Sequence, residues 1–196
     1  NGKNVVGAPS EGARALQPWL WTADRTDVYA IGLQEMVDLT AVNVVADGKS
    51  AKKRAESWRE TLDQALGPLG FYDLVAQKHM VGVLLCVYAR RGLACSEAAA
   101  ASVGCGVMGM LGNKGGVSVR VRVWDSTLCF VCSHLAAHRE NVEGRNSDVA
   151  TILAKTEFRG RFNASLDEVL LKKEPGGDPL RIEDHDAVFW LGDLNY

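Results

Sequence analysis

The fold and the site are decided together by the stretch AVFWLGDLNY, residues 187–196. Its first five residues form an apolar run of the kind that makes a buried strand, and Gly192 ends that run. Asp193 and Asn195 follow two positions apart, and extended chain places such positions on one side. A carboxylate only accepts hydrogen bonds, whereas a carboxamide both donates and accepts. We therefore predict that this pair handles a water molecule and a phosphate oxygen at the end of a strand.

Length and composition bound the class of protein. At 196 residues, the sequence predicts one domain or a large part of one. A hydrophobic fraction of 47% is typical of a globular protein. The 22 basic and 24 acidic residues give a net charge of -2, which argues against attachment to nucleic acid by bulk charge. The sequence has no apolar run that would span a bilayer, and it begins at Asn1 without a Met or a secretory signal, which predicts a trimmed start.

The cysteines indicate a reducing compartment. They are Cys86, Cys95, Cys105, Cys129 and Cys132. Their number is odd and four lie in or beside apolar segments, which predicts reduced thiols in a cytosolic protein. Cys129 and Cys132 form a C-x-x-C string, but those positions of a strand face opposite ways, so a redox or zinc role is not expected.

Hydrophobic periodicity predicts several strands and a few helices. The predicted strands cover residues 28–33, 71–77, 81–89, 117–123, 128–132 and 188–191, and 117–132 forms a hairpin. The predicted helices cover residues 11–21 with a break near Pro18, 50–66 with Ser50 as N-cap, and 140–158. Alanine-rich residues 97–102 favour a further helix, and residues 103–116 and 174–179 favour loops. Many strands with few, separated helices predict packed sheets flanked by helices.

Four polar residues follow directly after predicted strands: Glu35, His134, Asp193 and Asn195. Such positions lie at a sheet edge, where sites are often built. This set suits a metal-assisted phosphoryl hydrolysis in which Glu35 holds Mg²⁺, a hard ion that prefers oxygen ligands. His134 and Asn195 would stabilise charge on phosphate oxygens, and Asp193 would orient or deprotonate the attacking water.

Each of these residues also has an ordinary structural interpretation. A lone Glu after a strand is commonly solvated or caps a neighbouring group, and an Asp-x-Asn string suits a plain turn. His134 and His138 are four residues apart and would share one face of a helix, but no Glu lies between them, so the zinc-protease pattern is absent. His138 also suits a cap of the helix that follows.

A glycine-rich loop, GMLGNKGG at residues 109–116, resembles a phosphate cradle. It is not a Walker loop, because Lys114 is followed by glycine, with no Ser or Thr for a metal. Asn113 and Lys114 between glycines would nevertheless expose backbone N–H groups and one cation to an anion. Glycine loops also serve as plain turns, so this string has both interpretations.

Taken together, these strings resemble the inositol polyphosphate 5-phosphatases, with most likeness to the type II branch. The matching pieces run in family order over nearly the whole sequence. They are IGLQE (31–35), VGVLL (81–85), MGMLGNKGGV (108–117), SHLAAH (133–138), Arg145-Asn146 and WLGDLNY (190–196).

The resemblance implies an α+β, DNase I-like fold, the four-layer α/β/β/α sandwich of the endonuclease/exonuclease/phosphatase superfamily. It implies Mg²⁺-dependent removal of the 5-phosphate from phosphoinositides such as phosphatidylinositol 4,5-bisphosphate, from soluble inositol polyphosphates, or from both. The protein would be cytoplasmic and peripherally associated with membranes, with no nucleic acid partner expected. Residues 1–196 would be the first part of the catalytic domain, cut through the active site.

The resemblance also implies roles for individual residues. Glu35 matches the metal-binding Glu, and His134 matches the His that contacts the scissile phosphate. Asp193 matches the Asp that positions the nucleophilic water, and Asn195 matches the Asn beside that phosphate. His138 lies within a matching string but is expected to have no catalytic role.

On the substrate side, Asn113 and Lys114 match the pair that contacts the 1-phosphate, on the far side of the inositol ring. Residues 78–81 precede a strand and suit either a membrane surface or a plain strand start. The early Asn-x-Asn-Gly string of the family is present only as Asn1-Gly2, so its first metal-site Asn is missing. We therefore expect this stretch alone to be inactive and prone to aggregate, since its final strand would have an open edge.

Two other functions remain open. A nuclease of the same superfamily would use the same Glu, His and Asp-x-Asn residues, but Asn113, Lys114 and the lack of a broad basic face favour a small anionic headgroup. A non-catalytic phosphoinositide-binding module would have a degenerate site, whereas the core residues are present here. The sequence does not distinguish lipid from soluble substrate and does not predict an oligomeric state.

Overall fold

Four layers of secondary structure make up the computed structural model, which describes residues 9–20, 26–36, 48–69, 71–106, 114–159 and 178–196. The strands are β1 (Val28–Leu33), β2 (Tyr72–Met80), β3 (Val83–Arg90), β4 (Cys95–Gly104), β5 (Gly115–Val123), β6 (Ser126–His134) and β7 (Ala187–Asp193). The α-helices are α1 (Pro9–Leu20), α2 (Gly48–Leu66) and α3 (Val142–Lys155). The described residues also form two short 3₁₀ helices, Gly67–Leu69 and Ile182–Asp184.

The strands form two sheets with the orders β1-β3-β2 and β4-β5-β6-β7. The first sheet is antiparallel. In the second, β4, β5 and β6 pair antiparallel, and β7 joins β6 in parallel. The predicted hairpin of residues 117–132 is confirmed as the β5–β6 pair. The register of β6 and β7 places His134 opposite Asp193, at the ends of both strands.

Helices α1 and α2 cover the outer face of the first sheet. Ala55, Trp58, Leu62 and Leu66 of α2 recur at helical spacing and are at most 7% exposed. They share one apolar cluster with residues of α1 and with alternate residues of β1 and β3. Because a strand turns alternate side chains to each face, the same two strands also present a second apolar face.

That second face meets the other sheet across a core of branched side chains. Val117, Val119 and Val121 of β5 lie in one cluster with Leu85 and Val87 of β3. All five are at most 1% exposed. Side chains branched at Cβ pack well on a pleated surface, which explains why this alternating segment lies at the centre of the molecule.

Helix α3 covers the outer face of the second sheet. Cys129 and Val131 of β6 pack there in one cluster with Ile152 of α3. Cys132 lies instead in the core between the sheets. The two cysteines face opposite ways, as predicted, and neither forms a disulfide. The layers run helices, sheet, sheet, helix, so the predicted four-layer sandwich is confirmed.

The prediction of a helix at residues 97–102 is wrong, because this segment belongs to β4. It pairs with β5 between Cys95↔Val123 and Gly104↔Gly115, with an irregularity between Ser96 and Ala99. The helix propensity of alanine is overridden because this pairing completes the second sheet. The predicted loop 103–116 is shorter than expected, since its first two residues belong to β4 and its last two to β5.

Two helix boundaries also differ from the sequence prediction. Helix α1 continues through Pro18 to Leu20 without the predicted break. Helix α2 begins at Gly48, so Ser50 lies inside its first turn and is not the N-cap. The loop predicted at residues 174–179 lies mostly outside the described residues. No α-helix in the described ranges combines the length and the apolar composition needed to cross a bilayer.

Candidate active site

The ends of β6 and β7 bring two predicted site residues together. The His134 Nε2 atom lies 3.6 Å from the Asp193 Oδ2 atom. The His134 side chain is 4% exposed, whereas the Asp193 side chain is 46% exposed. A buried imidazole beside an accessible carboxylate suits a site in which the carboxylate meets water and the imidazole meets a group that enters from solvent.

Glycine is required at position 192, in the last part of β7. The φ angle of Gly192 is +126°, in the left-handed region that favours glycine. A Cβ there would lie 2.1 Å from the carbonyl oxygen of Ser133, so any side chain would collide with the backbone of β6. This close approach of the two strands sets the distance between the His134 and Asp193 side chains.

Asn195 links the two strand ends. Its backbone N–H donates to Asp193 Oδ1 at 3.2 Å, and its Nδ2 donates to the Leu135 carbonyl oxygen at 3.0 Å. The Leu135 N–H donates in turn to the Asp193 carbonyl oxygen at 3.0 Å. The carboxamide therefore ties the segment after β6 to the segment after β7. The Asn195 N–H bond to the Asp193 side chain is that of an Asx turn, so the Asp-x-Asn string also forms a turn.

Strand β1 contributes Glu35 from the opposite sheet. The sheets approach closely here, because a Cβ at Gly32 would lie 2.6 Å from the Cys132 sulfur atom. Glu35 has a φ of +54°, which turns the chain just after β1 ends. Its negative charge acts to raise the pKa of both His134 and Lys114. The structure thus brings Glu35 into the same group of charges as the residues of the second sheet.

Lys114 contacts the imidazole directly, with its Nζ atom 2.6 Å from His134 Nε2. It precedes Gly115, whose φ is +137° and where a Cβ would lie 2.1 Å from the Val103 carbonyl oxygen. Glycine is therefore required where β5 begins beside β4, and the backbone of the lysine before it is placed at the site. Asn113, the predicted partner of Lys114, lies outside the described residues.

Burial and neighbouring charge determine the protonation of the imidazole. Burial lowers the pKa of His134, and the Lys114 ammonium lowers it further. Asp193 and Glu35 act in the opposite direction. His134 is therefore neutral at neutral pH, and its Nε2 accepts the hydrogen bond from Lys114. The ring proton is then on Nδ1, a buried atom without a hydrogen-bond partner in the described part of the chain.

Carboxylates surround the Lys114 ammonium. Burial lowers the pKa of Lys114, and the charges of three carboxylates, Asp193, Glu35 and Asp148, act against that decrease. Mg²⁺ prefers such oxygen ligands, and it commonly takes one or two protein carboxylates and completes its shell with water and phosphate oxygens. Within the described ranges, no three His, Cys, Asp or Glu residues are grouped as a metal site. Glu35, just after β1, is a carboxylate of the kind that would hold such an ion if water and phosphate oxygens completed its shell.

The segment between β6 and α3 is held by Arg145, which is 2% exposed. Its Nη1 donates to the His138 carbonyl oxygen at 2.6 Å and its Nη2 to the Arg139 carbonyl oxygen at 3.0 Å. His138 is exposed, has a φ of +77°, and lies in a turn, so it does not share a helical face with His134. Asn141 caps the next helix, so the cap suggested for His138 is wrong.

Two contacts near the site were not predicted from the sequence. Gln34 Nε2 donates to the Cys132 sulfur at 3.0 Å, which ties the end of β1 to β6. Asp148 Oδ2 accepts the Ala136 N–H at 2.8 Å, which ties α3 to the segment after β6. The available signal was position alone, because all four residues lie within or close to the matching strings.

The comparisons with known proteins agree with this geometry. A family model described as Endonuclease/Exonuclease/phosphatase family 2 matches residues 4–196. The chain belongs to this family. The chain is 36% identical over 197 residues to the type II inositol 1,4,5-trisphosphate 5-phosphatase of Mus musculus. The aligned region covers 98% of the chain and 18% of that protein. The chain is 40% identical over 192 residues to the type IV inositol polyphosphate 5-phosphatase 9 of Arabidopsis thaliana, which covers 87% of the chain and 43% of that protein.

Solved structures add the same likeness. The inositol polyphosphate 5-phosphatase domain of SPsynaptojanin, in complex with inositol (1,4)-bisphosphate and a calcium ion, has a TM-score of 0.70 and 28% identity, covering 92% of this chain and 47% of that one. A Cimex nitrophorin ferrous NO complex has a TM-score of 0.52 at 17% identity, which shows the fold alone. The predicted resemblance and the DNase I-like fold are therefore confirmed, and the chain spans less than half the length of each 5-phosphatase named here.

Proposed function

We propose that the full-length protein hydrolyses the 5-phosphate of phosphoinositides such as phosphatidylinositol 4,5-bisphosphate, of soluble inositol polyphosphates, or of both, with Mg²⁺ as cofactor. The observation that carries this proposal is the parallel register of β6 and β7, which places His134 3.6 Å from Asp193. The names of the relatives and the ligand of the solved 5-phosphatase domain support the same substrate class. The fold alone would not, since one fold hosts many functions.

Asp193 is the residue proposed to orient the attacking water. Its side chain is 46% exposed, so water reaches it. Its Oδ1 accepts the Asn195 N–H at 3.2 Å, which fixes the carboxylate and leaves Oδ2 on the side of His134. A carboxylate held in this way would place a water in line with the phosphorus atom and accept its proton as the new bond forms.

N–H donors are proposed to bind the transferred oxygens. His134 is proposed to donate to a transferred oxygen from Nε2 once that atom no longer accepts from Lys114. Asn195 has a second Nδ2–H besides the one that it donates to Leu135. Donors that are already held in place stabilise charge that grows in the transition state without reorganising when the reaction occurs.

The 1-phosphate role proposed for Lys114 requires a different position of its ammonium. The 1-phosphate would lie on the far side of the inositol ring, whereas the Lys114 Nζ atom contacts His134. We propose that the flexible lysine side chain rotates away from the imidazole when substrate binds. This rotation would leave His134 to the scissile phosphate and give Lys114 an orienting role rather than a chemical one.

Glu35 is the residue proposed to hold Mg²⁺. When bound, the ion would neutralise charge on the phosphoryl and leaving oxygens. Glu35 follows β1 in the first sheet, whereas His134 and Asp193 end strands of the second. The scissile phosphate is therefore proposed to bind where the ends of the two sheets meet.

We further propose a cytoplasmic protein that acts at a membrane surface. Residues 78–81 lie at the end of β2 and in the turn to β3, near Glu35, because the Met36 N–H donates to the Gly82 carbonyl oxygen at 3.1 Å. Met80 packs partly into the core between the sheets, which favours the structural interpretation for that residue. The other residues of this segment, 78, 79 and 81, would then contact lipid.

Residues 1–196 alone are proposed to be inactive and prone to aggregate. Strand β7 is at the edge of the described sheet, and its Val188 and Phe189 are 41% and 50% exposed. An open apolar edge strand is a template for pairing with other chains. Mg²⁺-dependent phosphate release by this purified chain would contradict the expected inactivity.

The test of the proposed function is a phosphate-release assay on the full-length protein, with and without Mg²⁺. Vesicles with phosphatidylinositol 4,5-bisphosphate, soluble inositol 1,4,5-trisphosphate and plasmid DNA serve as substrates. We expect release from one or both inositol substrates and no DNA cleavage. Asp193→Ala is expected to lower kcat by about 10²- to 10⁴-fold, the usual contribution of a positioned general base.

Two results would overturn the proposal. DNA cleavage without inositol phosphate release would indicate a nuclease, and vesicle binding without turnover would indicate a non-catalytic lipid-binding module. Asp186→Ala is the matched control for Asp193→Ala, because Asp186 lies just before β7 and Asp193 is its last residue. Equal loss of activity in both variants would mean that Asp193 acts through stability rather than chemistry.

A further inference from the structure

The two residues after β6, Leu135 and Ala136, form a junction of the site. Leu135 donates its N–H to the Asp193 carbonyl oxygen and accepts the Asn195 Nδ2–H on its own carbonyl oxygen, each at 3.0 Å. Leu135 is fully buried. The bonds on this side all come from the end of β7, so they join the segment after β6 to the edge strand of the described sheet.

Asp148 of α3 supplies the bond on the other side. Its Oδ2 accepts the Ala136 N–H at 2.8 Å. Its backbone carbonyl oxygen is 3.6 Å from the Cys105 sulfur, which places that turn of α3 beside the segment after β4. Burial raises the pKa of Asp148, while the Ala136 hydrogen bond and the Lys114 charge lower it. The carboxylate is thus partly desolvated and has both a backbone donor and a nearby cation to offset that cost.

We propose that Asp148 is a positioning residue of the active site, which holds the Leu135–Ala136 junction and so the relative placement of His134 and Asp193. This inference rests on the proposed function. Asp148 contacts neither the imidazole nor the carboxylate of Asp193 in this structure, so it acts through the backbone that joins them. Its negative charge also contributes to the field that acts on Lys114.

The chemical need for such a residue follows from the short distances involved. Asp193 ends β7, the edge strand of the described sheet, which pairs there with β6 alone. A displacement of about 1 Å in a reacting group can cost about a hundredfold in rate. Helix α3 is fixed near its start by Arg145 and in its last turn by the buried Ile152. A carboxylate on that helix therefore transfers the rigidity of α3 to the strand ends.

The chain contains a matched control at the opposite end of the same two strands. Asp186 Oδ2 accepts the Thr127 N–H at 2.7 Å, so it too is a carboxylate bonded to a backbone donor of β6. It also accepts the Thr127 hydroxyl at 2.7 Å. Asp148 and Asp186 thus each accept a backbone N–H, at the two ends of β6. Only the Asp148 bond is at the site end.

The test compares Asp148→Ala, Asp148→Asn and Asp186→Ala in the full-length protein. We expect Asp148→Ala to lower kcat by about 10- to 100-fold, the range found when a supporting partner of a site residue is removed, with KM changed much less. Asp148→Asn keeps an oxygen that accepts the Ala136 N–H, so it should restore most of the lost kcat. Asp186→Ala should leave kcat within about twofold of the unsubstituted protein.

Hydrogen exchange measured by mass spectrometry gives a readout that does not depend on activity. Asp148→Ala should speed exchange in peptides covering residues 134–141, and Asp148→Asn should not. Asp186→Ala should speed exchange only near residue 127. Unchanged exchange at 134–141 in Asp148→Ala, or a kcat that falls equally in Asp186→Ala, would overturn the inference. An inactive unsubstituted protein would overturn the proposed function, while the exchange result would still decide whether Asp148 holds the junction.

Discussion

Two buried histidines lie at opposite ends of the β6–β7 pair, and their hydrogen bonding differs. His185, just before β7, has both ring nitrogens engaged: Nε2 accepts from Arg120 Nε at 3.0 Å, and Nδ1 lies 3.1 Å from the Ile182 carbonyl oxygen. Its ring also contacts Phe158 edge-to-face at 5.5 Å. His134 meets Lys114 at Nε2, but its buried Nδ1 has no partner among the described residues.

The difference separates a structural histidine from a site histidine. Burial is the first cause of the lowered pKa in both His185 and His134, so a shifted pKa alone does not distinguish them. Buried polar atoms are almost always paired, and an unpaired one calls for an explanation. The same ring approaches Asp193 through its other nitrogen, Nε2, at the end where the polar residues converge. The unmet hydrogen-bonding capacity of Nδ1 therefore belongs to the ring at the end of the strand pair where we propose the active site.

The largest expected effect comes from exchanging each histidine for alanine. His134→Ala should lower kcat of the full-length protein by about 10²- to 10³-fold, because it would remove the ring proposed to bind the phosphoryl group. It should change stability less than His185→Ala, since the hydrogen bond lost is the one from Lys114 and the approach to Asp193 is longer, at 3.6 Å. The measurement is phosphate release together with urea denaturation followed by tryptophan fluorescence.

His185→Ala is the matched variant and should show the reverse. Arg120, which is fully buried, would lose the acceptor of its Nε–H, at a cost of about 1–3 kcal/mol in the free energy of unfolding. Its kcat should stay within about threefold of the unsubstituted protein, since the ring lies at the far end of β7. If the two variants lose activity to the same extent, the distinction between the two histidines is wrong.

The sequence predicted the strands that carry these residues because each is a local apolar run. Val117, Val119 and Val121 alternate without interruption, and the structure turns all three into the core. Glu35, His134 and Asp193 were likewise selected by position, since each lies at or just past the end of a strand. The apolar runs predict where the strands end, and the residue types after those ends predict the chemistry. The contacts then follow because the strand ends meet.

The pairing of distant segments could not be predicted in the same way. The 97–102 segment has a local preference for helix, and only its partner β5 makes it a strand. The parallel pairing of β7 with β6 joins residues far apart in sequence and fixes which polar groups meet. Asp148 and Ala136 illustrate the same limit, because no local pattern indicates that a helix carboxylate accepts a backbone N–H twelve residues earlier.

The stability of variants at two glycines with positive φ tests whether the close approach of β6 and β7 constrains the site end. Gly192→Ala should be strongly destabilising, because its Cβ would lie 2.1 Å from the Ser133 carbonyl oxygen and its φ is +126°. Gly92→Ala is the control, since Gly92 has a φ of +88° but its Cβ would meet no atom within 4 Å. The control should cost about 1–3 kcal/mol of unfolding free energy from backbone strain alone.

Urea denaturation of both glycine variants tests this expectation. Gly192→Ala should lose more than Gly92→Ala, and it should also lose activity, because β7 would have to move away from β6 and separate Asp193 from His134. Equal costs at the two positions would show that the close approach of β6 and β7 at position 192 does not constrain the site end.

The smallest effect expected is a dependence of stability on pH between about 7.5 and 5.5. Free histidine has a pKa near 6.5, and burial lowers the pKa of both His134 and His185 in the folded protein. The unfolded chain therefore binds more protons in this range, so the stability contribution is present above about pH 6.5 and is lost as the pH falls toward the folded pKa values.

Each histidine can contribute at most about 1.4 kcal/mol per pH unit to this slope. His185→Ala and His134→Ala should each flatten the profile. The unfolding free energy of the unsubstituted protein and of both variants, measured from pH 7.5 to 5.5, checks this. A slope that survives removal of both buried rings would mean that other groups control it. His185 uses both ring nitrogens within the fold, whereas His134 bonds only through Nε2. The sharper test is therefore whether added Mg²⁺ or phosphate flattens the pH profile of unfolding free energy in His185→Ala but not in His134→Ala.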